Sequence, residues 1–245
     1  MPFTPAHVAA VLPLRGRQRL PFAALVAGCT SPDLPYFVPG PTGWSDVTHS
    51  LVGIVTWNLL LGLALWLVWR QVSPALHDTP AVVRGRWVLP PRSAAWWATV
   101  VAVLVGSSTH VVWDEFTHAG RFGATHVPQL AASWPSPVGS MPGWHWLQYA
   151  SSVLGLAVLV WAGLRLPTVE RGQRDQPRLA RAVPFVVLAC GAAASGLGLA
   201  SGSWSGWRGL GFVGLTSFIG GACVGLVGAC ALHVALRRRQ AREQV

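Results

Sequence analysis

Lysine is absent from this chain of 245 residues, acidic residues number eight, and charged residues of both signs make up only 11%. A soluble domain carries about a quarter charged residues, so a water-facing surface of ordinary composition is excluded. With 52% hydrophobic residues and a mean hydropathy of +0.45, the composition is that of an integral membrane protein. Cysteine is also scarce. Cys29, Cys190, Cys223 and Cys230 form no CxxC pair, so no disulfide framework or thiolate metal site is implied.

All eighteen basic residues are arginine, and the formal net charge is +10. A basic excess can mark a nucleic-acid partner, but no basic segment interleaved with aromatics is present, so none is expected. The arginines lie between the apolar runs instead. Five runs have the length of a membrane helix, about 20 residues: Val47–Trp69, Ala94–Trp113, Trp146–Leu166, Ala182–Ala200 and the Gly-rich Gly209–Leu236. The connections 70–93 and 165–181 and the tail after 236 are rich in arginine, whereas 117–144 holds only Arg121 and 201–208 only Arg208. Alternation of this kind puts the first set in the cytoplasm and the second outside. His77, Asp78, Glu170 and Asp175 fall in the arginine-rich set and read as solvated charge.

The expected fold is all-α: a polytopic membrane helical bundle of about five transmembrane helices plus an N-terminal hairpin of short helices or a sixth crossing. The chain reads as a single integral membrane domain, 1–245. Residues 1–44 form short helices and a Pro-Asp turn, 45–236 the five spans, and 237–245 a basic cytoplasmic tail. The expected location is the cell membrane, with membrane lipids as the partners. In the N-terminal part, one short helix is predicted from a Thr4 cap to Leu14 and a second from Pro21 to about Thr30, before the extended "SPDLPYF". A hairpin of these two helices returns His7 to the neighbourhood of Asp33. The alternative is that residues 20–38 cross the membrane and leave His7 on the other side.

"THVVWDEFTH" (109–118) is the polar end of an apolar run. His110, Asp114 and His118 are four apart and share one helical face, whereas Glu115 points about 100° away. Asp46 and His49 share a face at the predicted outer start of the 47–69 run, and Asp33 precedes it. Of sixteen histidines and acids in the chain, six or seven therefore gather at one predicted surface. Imidazole and carboxylate suit zinc or another divalent ion, and such an ion acidifies water for hydrolysis. The candidate metal set is His7, Asp33, Asp46, His49, His110, Asp114 and His118. Competing readings are a proton-coupled transporter, since ionisable groups in spans also relay protons, a haem protein, or a scaffold whose His–Asp pairs only join helices.

The ordered segments "MPFTPAHVAAVLPL", "SPDLPYF", "THS" (48–50), "HVVWDEFTH" (110–118) and "LQYASSVLG" (147–155) resemble the bacterial membrane family catalogued as domain of unknown function 4184, over nearly the whole chain. That family implies no activity. A more distant similarity, to membrane-bound metal-dependent hydrolases, rests on the early His, the Pro-Asp turn, the "THS" segment and the later His-x-x-x-Asp. It implies a metal set of His7, Asp33, His49, His110 and Asp114, with Asp46 standing where those proteins commonly have a further histidine. The similarity says little about substrate; a hydrolase of lipids or lipid-linked phosphoesters is the function suggested by the His/Asp cluster and the Trp-rich outer loop, because such substrates arrive from the bilayer at that depth.

Overall fold

The computed structural model describes residues 4–16, 19–38, 40–76, 95–137, 139–166, 178–202 and 205–243. His77, Asp78, Glu170 and Asp175, and most of the two arginine-rich connections, lie outside the described residues. The remainder is almost entirely helical, as its composition demands. Four helical stretches are long and apolar enough to cross a membrane: Trp96–His126, Gly143–Leu164, Ala182–Ala200 and Gly209–Gln240.

The N-terminal prolines keep the first helices short. Helix α1 (Thr4–His7) runs into a 3-10 stretch, Val8–Leu14, and α2 (Phe22–Thr30) runs into another, Ser31–Tyr36. At nine residues, α2 is about 14 Å long, shorter than a bilayer core, before it runs on into the 3-10 stretch.

The expected span 47–69 is helical but not continuous. It divides into α3 (Trp44–Thr48), α4 (Leu51–Val55) and α5 (Trp57–Leu76). The first break has a local cause. The Ser50 hydroxyl accepts from the Gly53 N–H, so a new helix starts there rather than the old one continuing. At Thr56 the backbone leaves helical angles altogether, with φ −114° and ψ −97°.

Contacts divide the chain into two compact units. The first holds α1 to α4, the first half of α5, α6 (Trp96–Thr117), α7 (Phe122–His126), α8 (Pro128–Ala131), the hairpin β1 (Ser133–Ser136) with β2 (Gly139–Pro142), and α9 (Gly143–Leu164). The hairpin lies in the Pro/Gly-rich 117–144 connection, with Ser133 opposite Pro142 and Trp134 opposite Met141. The core of this unit is Val11, Ala24, Leu25, Cys29, Ala102 and Val103. Its central contact is the crossing of α2 and α6. Thr99, Ala102, Val103, Gly106, Ser107, His110, Val111, Asp114 and Thr117 form the buried stripe of α6, at the spacing of one helical face. Glycines bring the two backbones together: a Cβ on Gly28 would lie 2.1 Å from the Val103 carbonyl oxygen, and one on Gly106 2.1 Å from that of Leu25.

The second unit holds α10 (Arg178–Ala200) and α11 (Gly206–Glu243), which pack together, and the second half of α5. Val72 and Cys230 form its small buried cluster, flanked by Trp69, Leu226, Val227 and Val234. Gly221 and Gly225, four residues apart in GxxxG spacing, let α11 lie against Ala194 and Cys190 of α10, which is the close packing such spacing permits.

Candidate metal centre

Each polar motif segment of the first unit can be accounted for residue by residue. In "SPD", Ser31 ends α2 by donating its hydroxyl to the Gly28 carbonyl, Pro32 turns the chain, and Asp33 is directed inward at 1% exposure. In "THS", the Thr48 hydroxyl donates to the Pro32 carbonyl at 2.7 Å, which ties the two segments side by side. His49 follows, buried, and Ser50 caps α4. From α6 come His110 and Asp114, one turn apart on the buried stripe.

These side chains meet at one point. His49 Nε2 lies 3.2 Å from Asp33 Oδ1 and 3.3 Å from Asp114 Oδ2. His110 Nε2 lies 3.4 Å from each of the same two oxygens. One donor atom from each of Asp33, His49, His110 and Asp114 falls within 4.8 Å of all the others, so the four could hold a metal ion. The edge lengths are informative. Ligands about 2.0–2.1 Å from a shared tetrahedral centre stand about 3.3–3.4 Å apart.

The hydrogen bonds behind the ligands point the same way. His110 Nδ1 donates to the Cys29 carbonyl at 2.7 Å, and His49 Nδ1 to the Ser45 carbonyl at 2.8 Å. Carbonyls only accept, so this network assigns the proton to Nδ1 in both rings. Nε2 of each ring is thereby turned toward carboxylate oxygens, carrying a second proton in the metal-free cluster and a free lone pair once a cation takes that proton's place. Lone pairs that face one another are repulsive unless protons or a cation lie between them. His110 Nε2 and Asp114 Oδ2 are both buried without a hydrogen-bond partner. The donor set therefore fits a divalent cation, and its charge balances: two carboxylates and two neutral imidazoles match one 2+ ion.

Two further histidines flank Asp114. His7 Nε2 is 3.5 Å from Asp114 Oδ1, and the His7 ring stacks on His110 at a centroid distance of 3.8 Å. The hairpin thus brings His7 to the cluster. Burial, and then the charge of His110, hold the His7 imidazole down to about 3 against the pull of Asp114 and Asp33. It is neutral at ordinary pH, so its contact with Asp114 is not an ion pair. His118 Nδ1 is 3.4 Å from Asp114 Oδ1 and also 3.3 Å from the Asp114 carbonyl. Its side chain is 23% exposed, against 4% or less for the side chains of the four central residues. Burial raises the Asp33 carboxyl, but His110, His49 and Thr4 outweigh it and hold the group well below the usual carboxylate range. For His49, burial is outweighed by the pull of the Asp114 and Asp33 carboxylates beside Nε2, which push it up to about 9.

Asp46 is not brought to the cluster. It is exposed on α3. The shared face of Asp46 and His49 presumes a helix that continues, but α3 ends at Thr48, and His49 has φ −94° and ψ 27°. That turn folds the ring back onto the Ser45 carbonyl and leaves Asp46 outside. Glu115, set aside by its angle, pairs with Arg121 at 3.5 Å and accepts from the Phe122 N–H.

Supporting groups were less legible in sequence. Thr4, expected as a helix cap, instead donates its hydroxyl to Asp33 Oδ2 at 2.5 Å. Arg121 donates to the His49 carbonyl at 2.9 Å. Thr117 Oγ1 is 3.5 Å from Asp114 Oδ1, and Gln148 of α9 donates to the Thr117 carbonyl. Gln148 had one signal, its place in "LQYASSVLG".

No curated protein and no solved structure matches the chain, so the likeness to metal-dependent hydrolases stays on its motifs alone. A family model described as Domain of unknown function (DUF4184) matches residues 1–231, which include every residue of the cluster. With nearly its whole length matched, the chain belongs to the DUF4184 family.

Proposed function

We propose that the chain is a membrane-embedded metal-dependent hydrolase whose ion, zinc or another divalent metal, is held by Asp33, His49, His110 and Asp114. The observation that carries this reading is the convergence of those four donors at 3.2–3.4 Å across His–Asp edges. A bound divalent ion supplies Lewis acidity and lowers the pKa of water. The protein's own groups do the rest. The Cys29 and Ser45 carbonyls fix the tautomers and orientation of the two imidazoles. Thr4 holds Asp33 in place. Neutral His7 offers a buried Nε2 without a hydrogen-bond partner beside Asp114. His118 is the cluster member that reaches solvent, so substrate approaches from its side. The arginine distribution predicts that side to be outside, where a lipid or lipid-linked phosphoester would arrive from the bilayer.

One observation favours a second reading, a structural ion. Four buried protein donors close a tetrahedron, as structural zinc sites do, whereas catalytic sites leave a position open. Elemental analysis of the purified protein beside His110→Ala and Asp33→Ala, with hydrolysis of a chromogenic phosphodiester, separates the outcomes. Bound metal and hydrolysis both lost in the variants supports the hydrolase. Metal lost together with thermal stability, in a protein that never hydrolyses the probe, supports the structural ion. Wild-type protein without metal after reconstitution with zinc or manganese overturns both.

A further inference from the structure

The connection between α6 and α9 forms a recess that the metal centre does not use. Gln129, Leu130, Trp134, Pro135, Gly143 and Trp146 line a wide-open surface depression of about 430 Å³. No ionisable side chain is among them. The Trp134 indole N–H is spent on the Gln129 carbonyl at 2.9 Å, so that ring presents apolar faces to the depression. Gly143 forms part of the wall because it has no side chain: a Cβ there would lie 2.1 Å from the Gln129 carbonyl oxygen. Trp134 and Trp146 remain 48% and 39% exposed, a costly arrangement in water for two large apolar rings lining one recess.

The recess opens onto an exposed, largely apolar surface. Trp146, Tyr149, Val153, Val160 and Leu164 are all exposed, and at 100° per residue they fall on one stripe of α9. That helix is a candidate membrane span with only 11% of its apolar window buried. Gln148 and Gly155, buried, lie on its opposite face, and Gln148 bonds the Thr117 carbonyl beside the metal centre. The first turns of α9 thus present an exposed stripe that ends in an apolar recess on one side, and a link to the His/Asp cluster on the other.

We propose that this recess binds the hydrocarbon chain of a membrane phospholipid, which enters along the exposed stripe of α9. The proposal rests on the membrane location shared with the proposed hydrolase and is independent of its metal. Tryptophan suits the task, since its ring packs on methylene groups at the depth where bilayer meets water.

The test uses the full chain in phosphatidylethanolamine nanodiscs doped with a phosphatidylethanolamine that carries a photoreactive diazirine on one acyl chain. After irradiation, label is located by peptide mass spectrometry. Segment 129–146 is expected to be labelled severalfold more than segment 153–164, which is equally lipid-facing but has no recess. Trp134→Ala combined with Trp146→Ala abolishes that enrichment. So does Leu130→Glu, which adds a charge to the wall without emptying it. Equal labelling of the two segments in wild type, or enrichment unchanged in both variants, overturns the proposal. Metal content measured on the same samples keeps the two readings apart, because failure of labelling leaves the ion in place and failure of the metal reading leaves the labelling.

Discussion

At the residue scale, the contrast between Asp33 and Asp46 is the sharpest test of the centre. Both are acids near "THS", but Asp33 is 1% exposed and within 3.2 Å of His49, while Asp46 is exposed. Asp33→Ala is expected to abolish metal retention, and Asp46→Ala to leave it unchanged, as measured by elemental analysis. Thr4→Val keeps the ligands but removes the hydrogen bond to Asp33 Oδ2. Changes behind a ligand typically cost about 10–100-fold in metal affinity, and competition with a calibrated chelator would read that loss. The pH dependence follows from His49. In the metal-free protein its carboxylate neighbours keep it protonated up to about 9, so an entering ion displaces that proton. Metal affinity therefore rises with pH until about 9 and gains nothing more from His49 above it. In the absence of metal, the same raised value makes His49 stabilising below its unfolded pKa of about 6.5, and that contribution is lost as pH rises through about 9.

At the scale of elements, the centre depends on how closely α2 and α6 cross. The Cys29 carbonyl on α2 orients His110 on α6, and that bond exists because Gly28 and Gly106 remove the side chains that would separate the helices. Gly106→Ala is expected to lower stability by about 1–3 kcal/mol or more through overpacking. It should also weaken metal retention, although it alters no ligand. Thermal unfolding read together with metal content would show the two losses in one variant. A fall in stability with full metal retention would mean that the Cys29–His110 bond is not needed to hold the ion. The hairpin of α1 and α2 was legible from prolines and short apolar stretches. The breaks at 49–50 and at Thr56 were not, because hydropathy records how apolar a run is and not where its backbone turns. Those breaks are what let Thr48 reach Pro32 and direct His49 inward.

At the scale of the whole molecule, four helical stretches have the length and apolarity of membrane spans. The arginine distribution predicts the C-terminus in the cytoplasm and the His/Asp cluster at the opposite surface. A C-terminal fluorescent reporter, active only in the cytoplasm, is expected to fluoresce, and a single cysteine introduced at Thr125, exposed on α7, to be modified by an impermeant maleimide added to intact cells. Modification only after lysis would place the centre on the inner surface and redirect the search for its substrate.

The amino-acid sequence by itself determined that the chain is a helical membrane protein, because few charges and long apolar runs admit little else. It also determined that His110 and Asp114 share a face, since helical periodicity is a local property. Only the tertiary structure decided which distant residues join them. His7, Asp33 and His49 come from three separate segments, and their meeting depends on close backbone packing at Gly28 and Gly106 and on the hydroxyl bond from Thr48 to Pro32. The exclusion of Asp46 was likewise tertiary. Spacing places a side chain on a face only while the helix lasts, and α3 ends one residue before His49.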